Sequence, residues 1–363
     1  MNEKSDHPAL LRYYPELKEK VAWIQLGSFP TPVQQLKNLG FNDLWVKRDD
    51  QSSPVYGGNK VRKLEFLLAD AKKKNRKKVI TFGAIGTNHG LATTIFSRNL
   101  GLDCTLLLFW QPVTRNVKQN LRLFKKYNAK TLYKKTILST VISYYITQRI
   151  RHPGAYFIFA GGSNRIGVLG FVNAAFELKS QIEQGLMPEP AVIFCPTGSN
   201  GTAAGLLLGT LLAGLNTTVA GVRVTKSHFG PFQACTSDSI RKLAKSTYNY
   251  LKNICGSLPE IKINSPTILE DYFGDGYGFV TDKGKNAYHL MKKKENIILD
   301  PTYTSKTFAA VLDYCKGHAD NSKPVLYWHT YNSVDMSEQA ASVDYRVLPK
   351  NLQKFIEEDE IIF

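Results

Sequence analysis

Cysteine is scarce in this sequence, and its five copies are scattered. They stand at positions 104, 195, 235, 255 and 315 of a 363-residue chain, and no two of them form a CxxC pair. This spacing indicates neither a disulfide framework nor a cysteine-rich zinc site, and no metal is expected. Reduced thiols are typical of cytoplasmic proteins, so a cytoplasmic location is expected.

Long hydrophobic runs are also missing. No stretch of about 18 apolar residues occurs, which predicts that the chain has no transmembrane helix and no membrane partner. Residues 1–8 lack the apolar core of a signal peptide, so none is expected. Hydrophobic residues make up 43% of the sequence, which is ordinary for a folded protein. The length suits two domains.

Acidic residues are few compared with basic ones. The chain has 30 aspartates and glutamates against 47 lysines and arginines, a net charge of +17. Such a charge raises the alternative of a nucleic-acid binder. The basic residues are dispersed, however, and the densest run, residues 72–78, has no aromatic residues interleaved for base stacking. A solvated helix end and loop explain this run, and we expect no nucleic-acid partner.

The hydrophobic pattern alternates between strand-like and helix-like segments. Short apolar runs predict strands at 44–47, 79–82, 104–109, 130–133, 156–159, 191–195 and 219–224. Apolar residues at helical spacing predict helices at 63–74, 89–99, 116–127 and 167–184, and an apolar helix that ends near residue 215. This order predicts an α/β protein with mainly parallel sheets, in which active sites collect where a strand passes into a helix.

One such junction is the glycine-rich segment TGSNGTAAG at 197–205, directly after the predicted strand 191–195. Its small residues let the backbone wrap around an anion, and the following helix offers free N–H groups. Ser199 and Thr202 add hydroxyl donors. Because the segment has neither a Walker lysine nor a GxGxxG pattern, it predicts a phosphate site of another kind. A merely tight strand-to-helix turn is the alternative.

The second segment is Gly57-Gly58-Asn59-Lys60. Its glycines allow a flat ligand to approach the backbone. A partly desolvated lysine near a helix N-terminus has a lowered pKa and can attack an aldehyde as an amine. Lys63, just under one helical turn further on, can reach a phosphate. A solvated surface lysine is the alternative for Lys60 taken alone.

The third segment, residues 83–90, lies between a predicted strand and a predicted helix. Here Thr87, Asn88 and His89 offer a hydroxyl, an amide and an imidazole beside helix N–H groups, a combination that suits a carboxylate. An N-cap formed by Thr87 or Asn88 is the structural alternative, and it is compatible with ligand binding.

Together these segments resemble one family. The chain is similar to the 1-aminocyclopropane-1-carboxylate deaminase / D-cysteine desulfhydrase family of fold-type II, tryptophan synthase β-like enzymes, which use pyridoxal phosphate. The matching motifs, besides the segments at 83–90 and 197–205, are LGSFPTP at 26–32, LWVKRDD at 44–50, GGNKVRKLE at 57–65, GGSN at 161–164, GYG at 276–278 and LDPTYT at 299–304.

The resemblance implies a fold of two domains, each an open, mostly parallel sheet flanked by helices. Residues 56–173 would form a small mobile domain, and residues 1–55 and 174–363 a large domain that binds the cofactor. A homodimer and a small amino acid as substrate are implied in the same way.

The resemblance also assigns roles by position. Lys60 would hold pyridoxal phosphate as a Schiff base and move protons, while Thr87, Tyr277 and Tyr303 would act on or beside the substrate. The residues implied to contact the cofactor are Lys60, Lys63, Asn88, Gly198, Ser199, Asn200, Gly201, Thr202 and Thr330. The residues implied to bind the substrate carboxylate are Thr87, Asn88 and His89.

The residue after Tyr303 favours one of two reactions. In the family that this chain resembles, the deaminases have Tyr-Glu at these two positions, with the glutamate on the pyridine nitrogen. This chain has Tyr303-Thr304, as the desulfhydrases do. Without an acid at that nitrogen the ring is a weaker electron sink. We therefore expect β-elimination from D-cysteine to pyruvate, sulfide and ammonia. The alternative is opening of 1-aminocyclopropane-1-carboxylate to 2-oxobutanoate and ammonia.

Three departures from the family pattern raise a further alternative. His329-Thr330-Tyr331-Asn332 stands where the family has His-Thr-Gly-Gly, so side chains lie where backbone should approach the cofactor. Asn200 replaces a glycine, a mild change because asparagine tolerates a left-handed backbone. Ile85-Gly86-Thr87 replaces a pattern with glutamine and serine. A protein that binds pyridoxal phosphate with altered or lost catalysis is therefore the second alternative. The segment 226–264 gives no motif.

Overall fold

The computed structural model describes residues 7–229, 232–318 and 323–360. The strands are β1 Val33–Gln35, β2 Leu44–Arg48, β3 Lys78–Ala84, β4 Asp103–Phe109, β5 Lys130–Tyr133, β6 Tyr156–Phe157, β7 Val192–Thr197, β8 Thr218–Arg223, β9 His228–Phe229, β10 Phe232–Gln233, β11 Thr267–Leu269 and β12 Val325–His329. Every strand predicted from the sequence is present, with its ends shifted by at most about two residues, the usual uncertainty of strand and helix ends.

The helices alternate with these strands. They are α1 Ala9–Tyr13, α2 Lys60–Lys73, α3 Asn88–Asn99, α4 Arg115–Lys126, α5 Ile137–Ile142, α6 Gln148–Arg151, α7 Leu169–Glu183, α8 Gly201–Ala213, α9 Ser237–Ile254, α10 Asp282–Glu295, α11 Thr304–Gly317, α12 Ser337–Ala341 and α13 Lys350–Glu357. A π-helical turn, Ser143–Thr147, joins α5 to α6. The long α9 lies within the segment 226–264, in which no motif is found.

The chain forms two compact units, and each contains its own sheet. The larger unit comprises Met1–Phe66 and Ser163–Ser333, and the smaller one Leu67–Gly162 and Val334–Phe363. In the larger unit the strand order is β1-β2-β12-β7-β8-β11, parallel except for β1 against β2. In the smaller unit the order is β5-β4-β3-β6, parallel throughout. The prediction of an α/β fold with mostly parallel sheets flanked by helices is confirmed.

Close packing of two helices positions the end of β7 in the larger unit. A Cβ on Gly205 of α8 would lie 2.3 Å from Cβ of Phe171 in α7, and one on Gly209 would lie 2.6 Å from Cβ of Ala175. These glycines let α8 lie against α7 at a distance that larger residues forbid. The N-terminus of α8, which follows the glycine-rich turn, is fixed by this contact.

A cluster of four buried charges anchors the start of α2. Arg62 pairs with Asp49 at 2.7 Å and with Glu177 at 2.8 Å, and Lys47 pairs with Glu177 at 2.6 Å. All four side chains are almost completely buried. Two positive and two negative charges balance one another, which offsets the cost of removing them from water. Its member Arg62 follows Lys60 by two residues in the sequence, so the cluster also holds the first turn of α2, in which Lys60 lies.

The compact units differ from the expected domains at their boundaries. Residues 56–66 and 163–173 group with the larger unit, because Gly170 packs directly on the backbone of Arg62. Residues 334–360 group with the smaller unit, where the ring of Phe355 contacts that of Tyr133 at a centroid distance of 5.3 Å. That the smaller domain moves stays a prediction.

The expectations for the cysteines and for hydrophobic runs can be compared with the structure. All five cysteines are buried and free. Within the described ranges, no helix combines the length and the hydropathy that crossing a membrane requires.

Candidate active site

Lys60 is the first residue of α2, and the loop before it is pressed against the end of β12. A Cβ on Gly58, whose φ is +87°, would lie 2.8 Å from the carbonyl oxygen of Thr330. Asn59 donates its backbone N–H to the same oxygen at 3.1 Å. A side chain at Gly58 is excluded both by this contact and by the left-handed backbone. The loop therefore fixes where α2 begins, and with it the Lys60 side chain.

The Lys60 amine is held by its neighbour in the chain. Its Nζ donates to Asn59 Oδ1 at 2.8 Å, and the Asn59 amide donates in turn to Thr202 Oγ1 at 3.1 Å. Burial lowers the pKa of Lys60 to about 8, against the opposing effect of the Asp300 charge. A substantial share of the amine is therefore neutral near pH 8, and the neutral amine is the form that attacks an aldehyde.

The turn at 198–202 lies at the N-terminus of α8 and is lined by hydrogen-bond donors. Ser163 Oγ donates to Ser199 Oγ at 2.8 Å and accepts the backbone N–H of Gly201 at 3.2 Å. A Cβ on Gly201 would lie 2.5 Å from Ser163 Oγ and 2.7 Å from Lys63 Nζ, so glycine is required there. Backbone N–H groups, hydroxyls and a lysine amine form a concave group of donors that suits a phosphate.

Lys63 is completely buried beside this turn, and its Nζ donates to Ser163 Oγ at 3.4 Å. Burial first, and then the nearby positive charge of Lys60, lower the pKa of Lys63 well below its usual value. An anion placed in the turn would favour the charged form of Lys63. Anion binding and protonation of this lysine therefore support each other.

Asn200 occupies the turn without strain. Its φ is +68°, a left-handed backbone that asparagine tolerates. Its Nδ2 donates to the carbonyl oxygen of Ala234 at 2.6 Å and to Ser239 Oγ at 3.0 Å. The side chain is thus directed to residues that hold the turn in place, which explains why asparagine can replace glycine here.

Tyr277 and Tyr303 meet beside the same turn. Their hydroxyl groups hydrogen-bond each other, and their rings make an edge contact with centroids 5.9 Å apart. A Cβ on Gly198 would lie 3.7 Å from the Tyr303 ring, which places this tyrosine next to the phosphate turn. Burial raises the pKa of Tyr277 to about 12 and that of Tyr303 well above its usual value. Both hydroxyls therefore stay protonated at neutral pH; one donates to the other, and the accepting hydroxyl keeps its hydrogen for a ligand.

Asp300 fixes Tyr303 at the start of α11, a role that the sequence did not reveal. Its Oδ1 accepts the backbone N–H of Tyr303 at 2.7 Å, and its Oδ2 accepts the Thr304 hydroxyl at 2.7 Å. Thr304 is completely buried. The aspartate of the LDPTYT motif accepts the backbone N–H groups of the residues two and three positions later, as in an Asx turn, and this signal was available in the sequence.

Lys306 is a second residue that sequence reasoning missed. It is completely buried, and its Nζ donates to the carbonyl oxygens of Phe273 at 2.6 Å and Gly276 at 3.3 Å. These carbonyls belong to the loop that leads into Tyr277, so the lysine holds this loop against α11. The available signal was a lysine in the middle of an apolar helix, three residues after Tyr303.

The residues after β12 form hydrogen bonds with the loop that precedes Lys60. Thr330 is buried, and its carbonyl oxygen accepts the Asn59 N–H, as described above. Asn332 Oδ1 accepts the backbone N–H of Gly57 at 2.6 Å. The amide that replaces a glycine of the family pattern is therefore used to tie the Lys60 loop to this segment.

The Thr87 turn lies in the smaller unit, at the N-terminus of α3. Thr87 is the N-cap, and its Oγ1 accepts the backbone N–H of Gly90 at 3.1 Å. Asn88 Oδ1 accepts from Asn120 Nδ2 at 3.1 Å, and His89 Nε2 lies 2.9 Å from Thr81 Oγ1. The capping alternative for Thr87 is thus observed, and it leaves the hydroxyl hydrogen available for a ligand.

The predicted site residues fall into two groups, one in each unit. Within the larger unit the structure brings together Lys60, Lys63, Gly198, Ser199, Asn200, Gly201, Thr202, Tyr277, Tyr303 and Thr330. Within the smaller unit it brings together Thr87, Asn88 and His89. No group of three or more histidine, cysteine, aspartate or glutamate side chains in the described part of the chain is arranged to hold a metal ion.

Comparison with known families gives one match over most of the chain. A family profile described as pyridoxal-phosphate dependent enzyme matches residues 24–330. The matched range includes every predicted site residue of the larger unit, from Lys60 to Thr330.

Individual proteins similar to this chain indicate which part of that family it most resembles. A putative 1-aminocyclopropane-1-carboxylate deaminase of Pyrococcus furiosus is 32% identical over 327 residues, which cover 86% of this chain and 93% of the relative. A D-cysteine desulfhydrase of Klebsiella pneumoniae subsp. pneumoniae is 31% identical over 320 residues, covering 85% and 93%. The crystal structure of an ACC deaminase homologue matches with a TM-score of 0.74 at 28% identity, covering 93% of this chain and 99% of that chain.

Proposed function

Because the chain belongs to the family of pyridoxal-phosphate dependent enzymes, we propose that it cleaves a small amino acid by β-elimination, with D-cysteine as the preferred substrate. Within the family it belongs to the fold-type II group of 1-aminocyclopropane-1-carboxylate deaminases and D-cysteine desulfhydrases. The chain is an enzyme, and its cofactor is pyridoxal phosphate. The cytoplasmic location and the homodimer stay predictions.

The residues of the larger unit fit this cofactor. The turn at 198–202 offers backbone and hydroxyl donors with buried Lys63 beside them, which suits the phosphate. Gly58 and Gly201 have no room for a side chain, because a Cβ there would meet the Thr330 carbonyl oxygen or Ser163 Oγ and Lys63 Nζ. Lys60 supplies an amine whose pKa of about 8 suits attachment to an aldehyde. Thr330 would place its hydroxyl at the ring nitrogen.

When bound, pyridoxal phosphate supplies an electron sink for the charge that develops at the substrate's Cα. Lys60 would remove the Cα proton, since burial lowers the pKa of its amine to about 8. Tyr277 and Tyr303 are kept protonated by burial, and whichever of the two hydroxyls accepts in their mutual hydrogen bond would donate to the departing sulfur. Breaking the Cα–H and Cβ–S bonds, followed by addition of water, converts D-cysteine into pyruvate, sulfide and ammonia. In the smaller unit, Thr87, Asn88 and His89 would bind the carboxylate.

The choice between the two reactions rests on Thr304. This residue replaces the glutamate that the resemblance places at the ring nitrogen of the deaminases, and its hydroxyl is bonded to Asp300 Oδ2 at 2.7 Å. The position therefore supplies no acid. A less fully protonated ring supports the easier loss of a Cα proton better than the opening of a cyclopropane.

Attachment of the cofactor should depend on pH in a defined way. Burial lowers the pKa of Lys60 from 10.5 to about 8, so its neutral amine predominates above that pH. We expect the rate at which cofactor-free protein recovers its visible absorption band on addition of pyridoxal phosphate to rise with pH and to level off above about 8. A rate that keeps rising towards pH 10 would contradict the assignment of a desolvated amine.

A substrate panel tests the proposed reaction. We expect purified holoenzyme to release pyruvate and sulfide from D-cysteine, and no 2-oxobutanoate from 1-aminocyclopropane-1-carboxylate. L-cysteine, D-serine and D-alanine complete the panel, the last because it has no leaving group at Cβ. Release of 2-oxobutanoate at a comparable rate would favour the deaminase instead.

Altered catalysis is kept as the second candidate because of Asn332. Its bond to the Gly57 N–H shows that this chain closes the Lys60 loop with a side chain where the family pattern has glycine. If the holoenzyme carries its cofactor band and yet forms no 2-oxo acid from any substrate of the panel, this candidate replaces the first.

A further inference from the structure

One helical stretch of the smaller unit carries a row of aliphatic residues on its solvent-exposed side. Along 137–151 the residues Leu138, Ile142, Ile146 and Ile150 follow one another at intervals of four and are 69%, 47%, 55% and 75% exposed. We call these four residues the apolar ridge. Scattered exposed aliphatic residues are ordinary, but a continuous row along one helix face marks a surface that contacts something apolar.

The face of the same stretch that packs on the unit is partly polar, although Tyr144 and Val141 join a hydrophobic cluster there. Thr140, Ser143 and Gln148 are buried there, together with Tyr144. A surface helix of a soluble protein ordinarily buries its apolar face and exposes its polar one. Here the long aliphatic side chains of the ridge lie on the exposed side, so these four residues are explained by what lies outside the unit rather than by its core.

Cations flank the ridge at both ends. Lys135 is exposed just before α5, and Arg149 and Arg151 are exposed in α6. At the far end stands His152, whose pKa is lowered by partial burial and then by the positive charges of Lys78 and Lys130 as well as Arg151. The ridge therefore ends in a region of positive potential.

This charge is not local to the helix. Residues 67–162 contain 17 lysines and arginines but only two acidic residues, Asp70 and Asp103. The basic residues are dispersed along this segment, but the acidic residues that would balance them are almost absent from it. The second stretch of the smaller unit, residues 334–363, adds three basic and seven acidic residues, so the unit as a whole has 20 basic and nine acidic residues and a net charge of +11.

We propose that the apolar ridge docks on an anionic lipid surface. An apolar face with flanking lysines and arginines matches such a surface on both counts, because the side chains enter the acyl boundary while the cations meet the headgroups. A second copy of this chain would bring equal positive charges together. A nucleic acid would satisfy the charges but leave the ridge in water. The absence of a long apolar run does not conflict with this, since a helix lying in the interface does not span the membrane.

The experiment measures co-sedimentation of the full-length holoenzyme with vesicles. Vesicles of phosphatidylcholine with phosphatidylglycerol are compared with vesicles of phosphatidylcholine alone, at low and at high salt. The test variant is Ile146→Ser with Ile150→Ser, which leaves the net charge unchanged. The control is Leu186→Ser with Val347→Ser, two comparably exposed apolar residues that lie outside the ridge. Both variants change exposed side chains, and the cofactor absorption band verifies that each remains folded.

We expect binding to the anionic vesicles alone, weakened by salt, reduced at least about tenfold in the ridge variant and unchanged in the control. Equal binding by the ridge variant, or no binding by the wild type, would overturn the proposal. So would a dimer, seen by light scattering, that the ridge variant dissociates, since the ridge would then be a self-interface. Retention on RNA in place of vesicles would assign the charge to nucleic acid.

Discussion

Replacing Lys60 with alanine is expected to lower the turnover of any amino-acid substrate at least about 10³-fold and to remove the visible absorption band of the lysine-bound cofactor. The nearest other amine cannot take over, because Lys63 is buried with its Nζ directed at Ser163 Oγ at 3.4 Å. Absorption and 2-oxo acid release are measured on the same preparation.

Two further variants show that the effect belongs to the amine. Lys60→Arg keeps a long cationic side chain but not a nucleophilic primary amine, so it should behave like the alanine variant. Lys72→Ala changes an exposed lysine in the last turn of the same helix and should leave both the band and the turnover intact. A Lys60→Ala protein that retains the band would assign the attachment to another lysine.

Replacing Glu177 with glutamine is expected to destabilise the protein by about 3–5 kcal/mol. Glu177 is shared by Lys47 at 2.6 Å and Arg62 at 2.8 Å, and all three side chains are buried. The amide keeps the shape but leaves the two cations with the single charge of Asp49, so a net positive charge stays buried. The free energy of unfolding in urea, followed by tryptophan fluorescence, measures the loss.

The control lies on the same helix. Glu183 of α7 pairs with Lys179 at the surface and is 52% exposed, so Glu183→Gln should change stability little. A loss of equal size in the two variants would show that the buried cluster contributes no more than a surface pair.

The same residue predicts how acid affects the protein. Burial opposes ionisation of Glu177, but the charges of Arg62 and Lys47 outweigh it and lower its pKa from 4.5 to about 2. Its stabilising contribution, roughly 3 kcal/mol, is thus complete above pH 4.5 and is lost as the pH falls towards 2. The glutamine variant should lack this part of the acid dependence.

Much of the fold was visible in the sequence because its strands are buried on both faces. Segments such as 104–109 and 191–195 read as short apolar runs between turn residues, and each is a strand of a parallel sheet. The stretch 137–151 was missed for the opposite reason. Its core-facing side mixes Val141 and Tyr144 with buried polar residues, and its exposed side is apolar, so the hydrophobic pattern carried no clear signal that a helix packs there.

Some residues of the candidate site were likewise predicted from the sequence, and others were not. The glycine-rich turn and Lys60 were predicted because their chemistry is local in sequence. The contribution of Asn332 was not, because its bond to Gly57 joins residues 275 positions apart. Lys306 was missed because its effect on Tyr277 passes through backbone carbonyls of a separate loop.

The division of the smaller unit between two stretches of chain has a consequence for the order in which the protein is made. Residues 67–162 leave the ribosome well before α13, whose Phe355 contacts Tyr133 of β5 and which follows only after the whole segment 163–333 has been translated. At 5–20 residues per second this takes roughly 10–30 s. During that interval the edge of the nascent sheet lacks its cover, which makes this the period in which a chaperone would be needed most.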